Sequence, residues 1–329
     1  MVRDRRIELL LLYAAALLYS SCLGLSSAPL IQQQHPTTEA PINDDIDPWS
    51  SAKLSLRHPT CCVVSVSGLD PHLSILQQYF CGLDSPLDLD LRARIRCGDD
   101  GTAYRDCFNI YTSIMNPSPL KSHVDEFDDV STNIDTEHPC VLALQALAKG
   151  VASLSDGPLQ NACTDVHMRI VFASNYKARD PMFHTDKCPL RGYVTLTGPG
   201  TEYMKRTCRP WEYVALRTLG AGDASNGIEG LEMAKNLEFI VMKGDTYDAP
   251  LPEDSLSSPS ILQSMLKLVW TRDAACVHRS PPVREGRGER RVILSLDLAD
   301  GVDDQEWYEY DKKRGWRSGM TQRKSHLVA

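Results

Sequence analysis

The chain has 329 residues, a formal net charge of −8, 42% hydrophobic residues and 24% charged residues. That composition fits one large folded domain or two modest ones, and its negative balance excludes nucleic acid and anionic membrane surfaces as favoured partners. There is no Walker loop, no GxGxxG and no GxSxG elbow, so the nucleotide-cradling and serine-hydrolase signatures are absent.

Residues 1–24 carry Arg3, Arg5 and Arg6, then "IELLLLYAAALLY", then small residues in "SSCLG". Basic, apolar, small is the order of a secretory signal peptide, and the apolar run is shorter than the ~20 residues of a membrane span. An uncleaved signal anchor is the other reading. Beyond that segment, no membrane contact is expected. The cysteines agree with the secretory pathway, either the ER lumen or secretion. Of 11 Cys, Cys22 falls in the signal, and the even remainder suggests disulfides. Residues 25–57, rich in Pro, Gln, Thr and Asp, read as a disordered linker.

Residues 58–160 read as a mainly helical section. Cys62–Val66 suggests a short strand. "PHLSILQQYFCGL" and "GTAYRDCFNIYTSIM" suggest helices, and the acidic "LKSHVDEFDDVSTNIDTEH" a loop. "PCVLALQALAKGVASL" has helical apolar spacing and opens on Pro139, a favoured first-turn residue. The texture then changes. "VHMRIVFASNY", "RGYVTLT", "LEFIVMKGDTY", "LKLVWTR" and "RRVILSLDL" are short β-rich runs between Gly, Pro and Asp turns. Such runs suggest a β-sandwich or barrel over 161–299, giving an α+β chain. Residues 205–236 read as an insertion, and 300–329 as an exposed tail.

The chemistry centres on "FHTDKCPLRGYVTLTGPGTEYM". A His-x-Asp tripeptide alone says little, since chance could supply one and a second occurs at His123–Asp125. That second copy sits in an acidic loop without a strand pattern and is set aside. Strand residues two apart face the same side, so His184 and Asp186 can converge on one ion. His278 ends a later strand-like run before a Pro-Pro turn, and Arg290 and Arg291 open the next. Two His and one carboxylate on one face of Fe(II) leave three positions open. This is the order found in jelly-roll non-haem iron oxygenases. An arginine fork matches the distal carboxylate of a 2-oxo acid. The expected fold is therefore a double-stranded β-helix of the jelly-roll or cupin-like kind, carrying the helical section.

Phe183–Asp297 resembles the bacterial and algal family known as domain of unknown function 1826, through "FHTD", "GPGTEY" and "HRSPP". The resemblance runs from about residue 160 to 298. More distantly, His184–Tyr203 is similar to the His-x-Asp region of prolyl-hydroxylase-like 2-oxoglutarate oxygenases. Arg191, the strand Tyr193–Thr197 and Gly198–Tyr203 follow in the same order. The resemblance implies Fe(II) on His184, Asp186 and His278, with 2-oxoglutarate as small-molecule co-substrate on Arg291. Ser295 shares the strand face of Arg291, and Arg290 is held in reserve. The long gap before His278 departs from that pattern and requires the insertion to loop out.

Rival readings use the same residues. Cys188 and Cys276 alternate with the candidate ligand positions and would make a closed zinc site, in a non-catalytic metal-binding protein. Pro189 directly after Cys188 turns the chain away, which favours a disulfide or an unliganded thiol instead. "GPGTEY" reads equally as a simple hairpin turn, Glu202 as a solvated residue rather than a carboxylate supporting the ligands, and His167 as structural.

Overall fold

A computed structural model describes residues 47–58, 60–82, 89–115, 137–155, 165–174, 182–208, 210–218, 229–245, 247, 275–281, 290–299 and the backbone of 326–328. The signal segment, the loop containing His123 and the "LKLVWTR" run lie outside the described residues.

α1 (Pro48–Arg57) starts at Asp47, whose carboxylate accepts from Ser50 N. Ala52 and Leu56 of α1 are buried in the main core, so this part of the expected linker is structured. α2 (Asp70–Cys81), α3 (Asp100–Met115) and α4 (Pro139–Ser153) match the expected helices closely. In α4 the His138 ring accepts from Cys140 N, and Pro139 occupies the first turn, where a missing N–H costs nothing.

The strands are β1 (Val63–Ser65), β2 (Leu89–Arg96), β3 (Asp165–Ala173), β4 (Leu190–Thr197), β5 (Glu202–Met204), β6 (Leu231–Met233), β7 (Ile240–Lys243), β8 (His278–Arg279), β9 (Arg291–Leu298) and β10 (His326–Val328). The larger sheet has the order β1-β7-β4-β9-β3-β2-β10, and the smaller one β6-β5-β8. All pairings are antiparallel except β10 on β2. The section expected to be mainly helical thus contributes two strands, β1 and β2, to the larger sheet. The tail adds backbone pairing at its end. The expected insertion supplies β6 and α5 (Pro210–Thr218).

Period-two alternation sorts the larger sheet into two faces. Val166, Met168, Ile170 and Phe172 of β3, with Val292, Leu294, Leu296 and Leu298 of β9, join α2, α3 and α4 in one core. The opposite face turns Arg191, Tyr193, Arg291, Ser295 and Asp297 towards the smaller sheet. Between the sheets Tyr193, Ile240 and Met242 cluster with Tyr203 and Cys276. On the far side of the smaller sheet, Tyr213 and Leu216 of α5 cover Phe183, Met204 and Val277. Glu202 lies there too, buried against the guanidinium of Arg279, and is therefore not a solvated residue. The molecule is a mixed structure of helices and antiparallel sheet.

The Gly198–Gly200 turn does not close a hairpin. It carries the chain from β4 in the larger sheet to β5 in the smaller one. Gly198 has φ +92°, and a Cβ there would lie 2.5 Å from Arg290 O and 3.0 Å from Arg291 Cα. Only glycine fits, and the turn presses on the start of β9, where Arg291 projects inward.

Candidate metal centre

His184 and His278 are directly opposed across two backbones. Each N–H donates to the other's carbonyl oxygen at 2.9 Å. The segment of His184 thereby extends the smaller sheet next to β8, and both imidazoles leave the ladder on the same side, with ring centroids 4.5 Å apart. Asp186, two residues on, completes the group. The ligating atoms of His184, Asp186 and His278 lie within 4.8 Å of one another.

The remaining contacts orient these donors. Nδ1 of His184 faces Met182 O at 2.9 Å, and Nδ1 of His278 faces Cys276 O at 3.2 Å. A carbonyl can only accept, so each Nδ1 carries the proton of a neutral ring, leaving each Nε2 lone pair for another partner. His278 Nε2 sits 3.1 Å from Asp186 Oδ2. Two donors each ~2.1 Å from one ion, at roughly a right angle, would be ~3 Å apart. Asp186 Oδ2 is buried and meets no hydrogen-bond partner among the described residues. An orphaned carboxylate oxygen beside two imidazole lone pairs fits a divalent ion, which would satisfy all three.

Burial opposes charge on Asp186, yet the Arg191 guanidinium, and then the two imidazoles, hold its carboxyl well below the usual range. Burial likewise disfavours charge on His278, but Asp186 outweighs it and raises the imidazole pKa. The turn carrying Asp186 is stapled from outside: Asp245 N donates to Asp186 O at 2.7 Å, and Gly244 N to Pro189 O at 2.9 Å.

The two arginines separate cleanly. Arg291 is buried, and its Nη2 donates to Tyr193 Oη at 2.7 Å and Thr201 Oγ1 at 3.2 Å. Arg290 points to the helical side and donates to Cys81 O and Phe80 O at 3.1 and 3.0 Å, capping α2. Ser295 lies on the inner face between Tyr193 and Arg169, and Arg169 grips Asp90 with two contacts of 2.8 Å. His167 is buried opposite Asp297 on that face.

Neither thiol joins the centre. Cys276 Sγ turns to Met204 O at 3.6 Å, and the metal-competent group contains no cysteine. Cys188 and Cys276 are both free, as are the other seven described cysteines. The expected disulfides therefore do not form among the described residues.

Sequence reasoning missed Tyr193, Thr195, Thr201 and Asp297. Asp297 shares strand parity with Arg291 and Ser295, which was a readable signal. Thr195 is fully buried on the inner face of β4, and its hydroxyl has no partner among the described residues.

A two-sheet protein enclosing a His-Asp-His group suited to a divalent ion is the class this geometry defines. The chain belongs to the family described as "Protein of unknown function (DUF1826)", whose profile matches residues 109–297. Among solved structures it is similar to Arabidopsis thaliana dioxygenase for auxin oxidation 1, in a binary complex with 2-oxoglutarate. The identity is 11%, over 80% of this chain and 97% of that one, with a TM-score of 0.42. It is similar to the rice dioxygenase for auxin oxidation at 13% identity, over 81% and 88%, with a TM-score of 0.34. A full-length Neurospora crassa protein in complex with alpha-KG aligns at 12% identity, over 76% and 79%, with a TM-score of 0.34. No curated protein matches the chain.

Proposed function

We propose that the protein is an Fe(II)- and 2-oxoglutarate-dependent oxygenase, a hydroxylase of the secretory pathway, built on a double-stranded β-helix. The observation that carries the reading is the convergence of His184, Asp186 and His278, with both Nδ1 atoms tied to carbonyls and Oδ2 of Asp186 left orphaned. Imidazole and carboxylate donors suit iron, and three ligands on one side leave three open positions.

The order of strands supports the fold. From β3 onwards the chain visits the larger sheet, the His184 segment, β4, then β5 and β6, then β7, β8 and β9. A double-stranded β-helix would wind in that alternating way, and the strand order supports this reading.

The co-substrate pocket follows from Arg291. Its guanidinium is fixed by the hydroxyls of Tyr193 and Thr201, and the buried hydroxyl of Thr195 lies on the same inner face. A fork of N–H donors beside hydroxyls suits the distal carboxylate of 2-oxoglutarate. Bound iron would supply O2 activation coupled to oxidative decarboxylation of the 2-oxo acid to succinate and CO2, with one oxygen atom going into a substrate C–H bond. The chain's own work is to hold the ligands in their neutral tautomers, to orient the 2-oxo acid through Arg291, and to exclude water with Tyr193, Tyr203, Ile240 and Met242.

The test is uncoupled turnover. Protein loaded with Fe(II) should convert 2-oxoglutarate and O2 slowly to succinate, and Asp186→Ala should not. Tight zinc binding with no succinate at any iron loading contradicts the reading and favours a non-catalytic metal-binding protein.

A further inference from the structure

The two oxygens of Asp186 have different surroundings. Oδ1 pairs with Arg191 Nη1 at 2.7 Å, whereas Oδ2 is the orphan beside His278. Arg191 is itself locked. Its Nε and Nη2 meet the two oxygens of Asp297 at 2.5 and 2.6 Å. The lock is built into the sheet, because Arg191 of β4 and Asp297 of β9 are register partners.

We propose that Arg191, clamped by Asp297, is a positioning residue that makes Asp186 a one-oxygen ligand and so keeps a coordination position open. The proposal rests on the metal reading above. A carboxylate can chelate an ion with both oxygens. Here Oδ1 is already engaged by a cation, and the planar guanidinium cannot swing aside while Asp297 holds its other edge. The consequence is chemical. A two-oxygen Asp186 would fill one of the three positions that a chelating 2-oxo acid and O2 need together. The arrangement costs affinity, since a guanidinium in contact with the ligand repels the incoming ion. Arg191 thus trades metal affinity for open coordination.

That trade separates this role from a structural one, which predicts only weaker binding on mutation. The probe is Mn(II), followed by titration calorimetry for affinity and by water-proton relaxation for inner-sphere waters. Wild type should keep waters at all three open positions. Arg191→Met/Asp297→Asn removes one charge of each sign. It should bind Mn(II) at least ~threefold tighter, because the nearer charge removed is the repelling one. It should also hold one water fewer, as Asp186 chelates through both oxygens. Asp297→Asn alone leaves Arg191 uncompensated. It should weaken Mn(II) several-fold with the water count unchanged. Weaker binding by the double variant, or an unaltered water count in it, overturns the proposal. If the double variant does not fold, unchanged affinity in Asp297→Asn overturns it. Wild-type protein that binds no Mn(II) refutes the metal reading itself, which is a different result.

Discussion

Gly244→Ala tests how the fold delivers Asp186 to the centre. A Cβ at Gly244 would fall 1.9 Å from Cys188 O and 2.9 Å from Asp186 O, both backbone atoms in the turn that carries the ligand. Real Cβ contacts essentially never fall under 3.0 Å, so the two segments must part by about 1 Å. Parting them strains Asp245 N to Asp186 O and Gly244 N to Pro189 O, at 2.7 and 2.9 Å. Overpacking of this kind costs ~1–3 kcal/mol, and each weakened hydrogen bond about 1 more. The resulting loss of about 3–5 kcal/mol lowers the melting temperature by roughly 6–20 °C in a domain of this size. The displaced Asp186 should weaken Mn(II) binding by about tenfold or more, the scale seen when support of a metal ligand is lost. Thermal melts with and without Mn(II) read both effects. A variant melting within a degree of wild type, with unchanged Mn(II) affinity, would show that the 244–245 staple does not position Asp186.

Further outcomes follow from the same contacts. Arg291→Lys keeps the charge but loses the fork, so 2-oxoglutarate affinity should fall by roughly tenfold to a hundredfold, or ~1.5–3 kcal/mol, with Mn(II) affinity unchanged. Arg290→Ala should leave 2-oxoglutarate binding untouched and cost about 1 kcal/mol of stability in a denaturant titration, because it uncaps α2. Burial lowers the His138 pKa, and the neutral ring caps α4. The unfolded chain therefore binds the proton more readily. The stabilisation is complete above the ordinary value of 6.5 and is lost as pH falls through the folded value. His138→Ala should flatten that acid limb. N-terminal sequencing of secreted protein should begin near residue 25, and retention of Met1 would refute the signal reading.

α2, α3 and α4 were legible because period and punctuation agreed, as at Pro139 with buried Val141, Leu144, Leu147, Ala148 and Val151 spaced behind it. β2 alternates strictly, Leu89, Leu91, Ala93 and Ile95 against Asp90, Arg92, Arg94 and Arg96. It escaped notice because its charged face looks solvated in sequence, whereas in the sheet Asp90 and Arg92 are buried. α1 buries only Ala52 and Leu56, too small an apolar stripe to stand out from a Pro- and Ser-rich stretch. β5 and β8 have three and two residues, too few for any period, and only register places them. The candidate residues with motif or parity signals, His184, Asp186, His278 and Arg291, could be named from sequence, and the structure groups the first three. The partners that tune them could not, because Arg191 meets Asp297 only through the pairing of β4 with β9. Thiol pairing was likewise illegible, since an even cysteine count does not distinguish bridges from buried thiols such as Cys107 and Cys140.

The most direct measurement is anaerobic titration of the Fe(II)-loaded protein with 2-oxoglutarate, monitored in the visible spectrum. A weak metal-to-ligand charge-transfer band should grow to saturation in wild type. It should be absent in Asp186→Ala and shifted to higher 2-oxoglutarate concentration in Arg291→Lys. Wild-type protein that binds iron through His184, Asp186 and His278 yet develops no band at any 2-oxoglutarate concentration contradicts the oxygenase account.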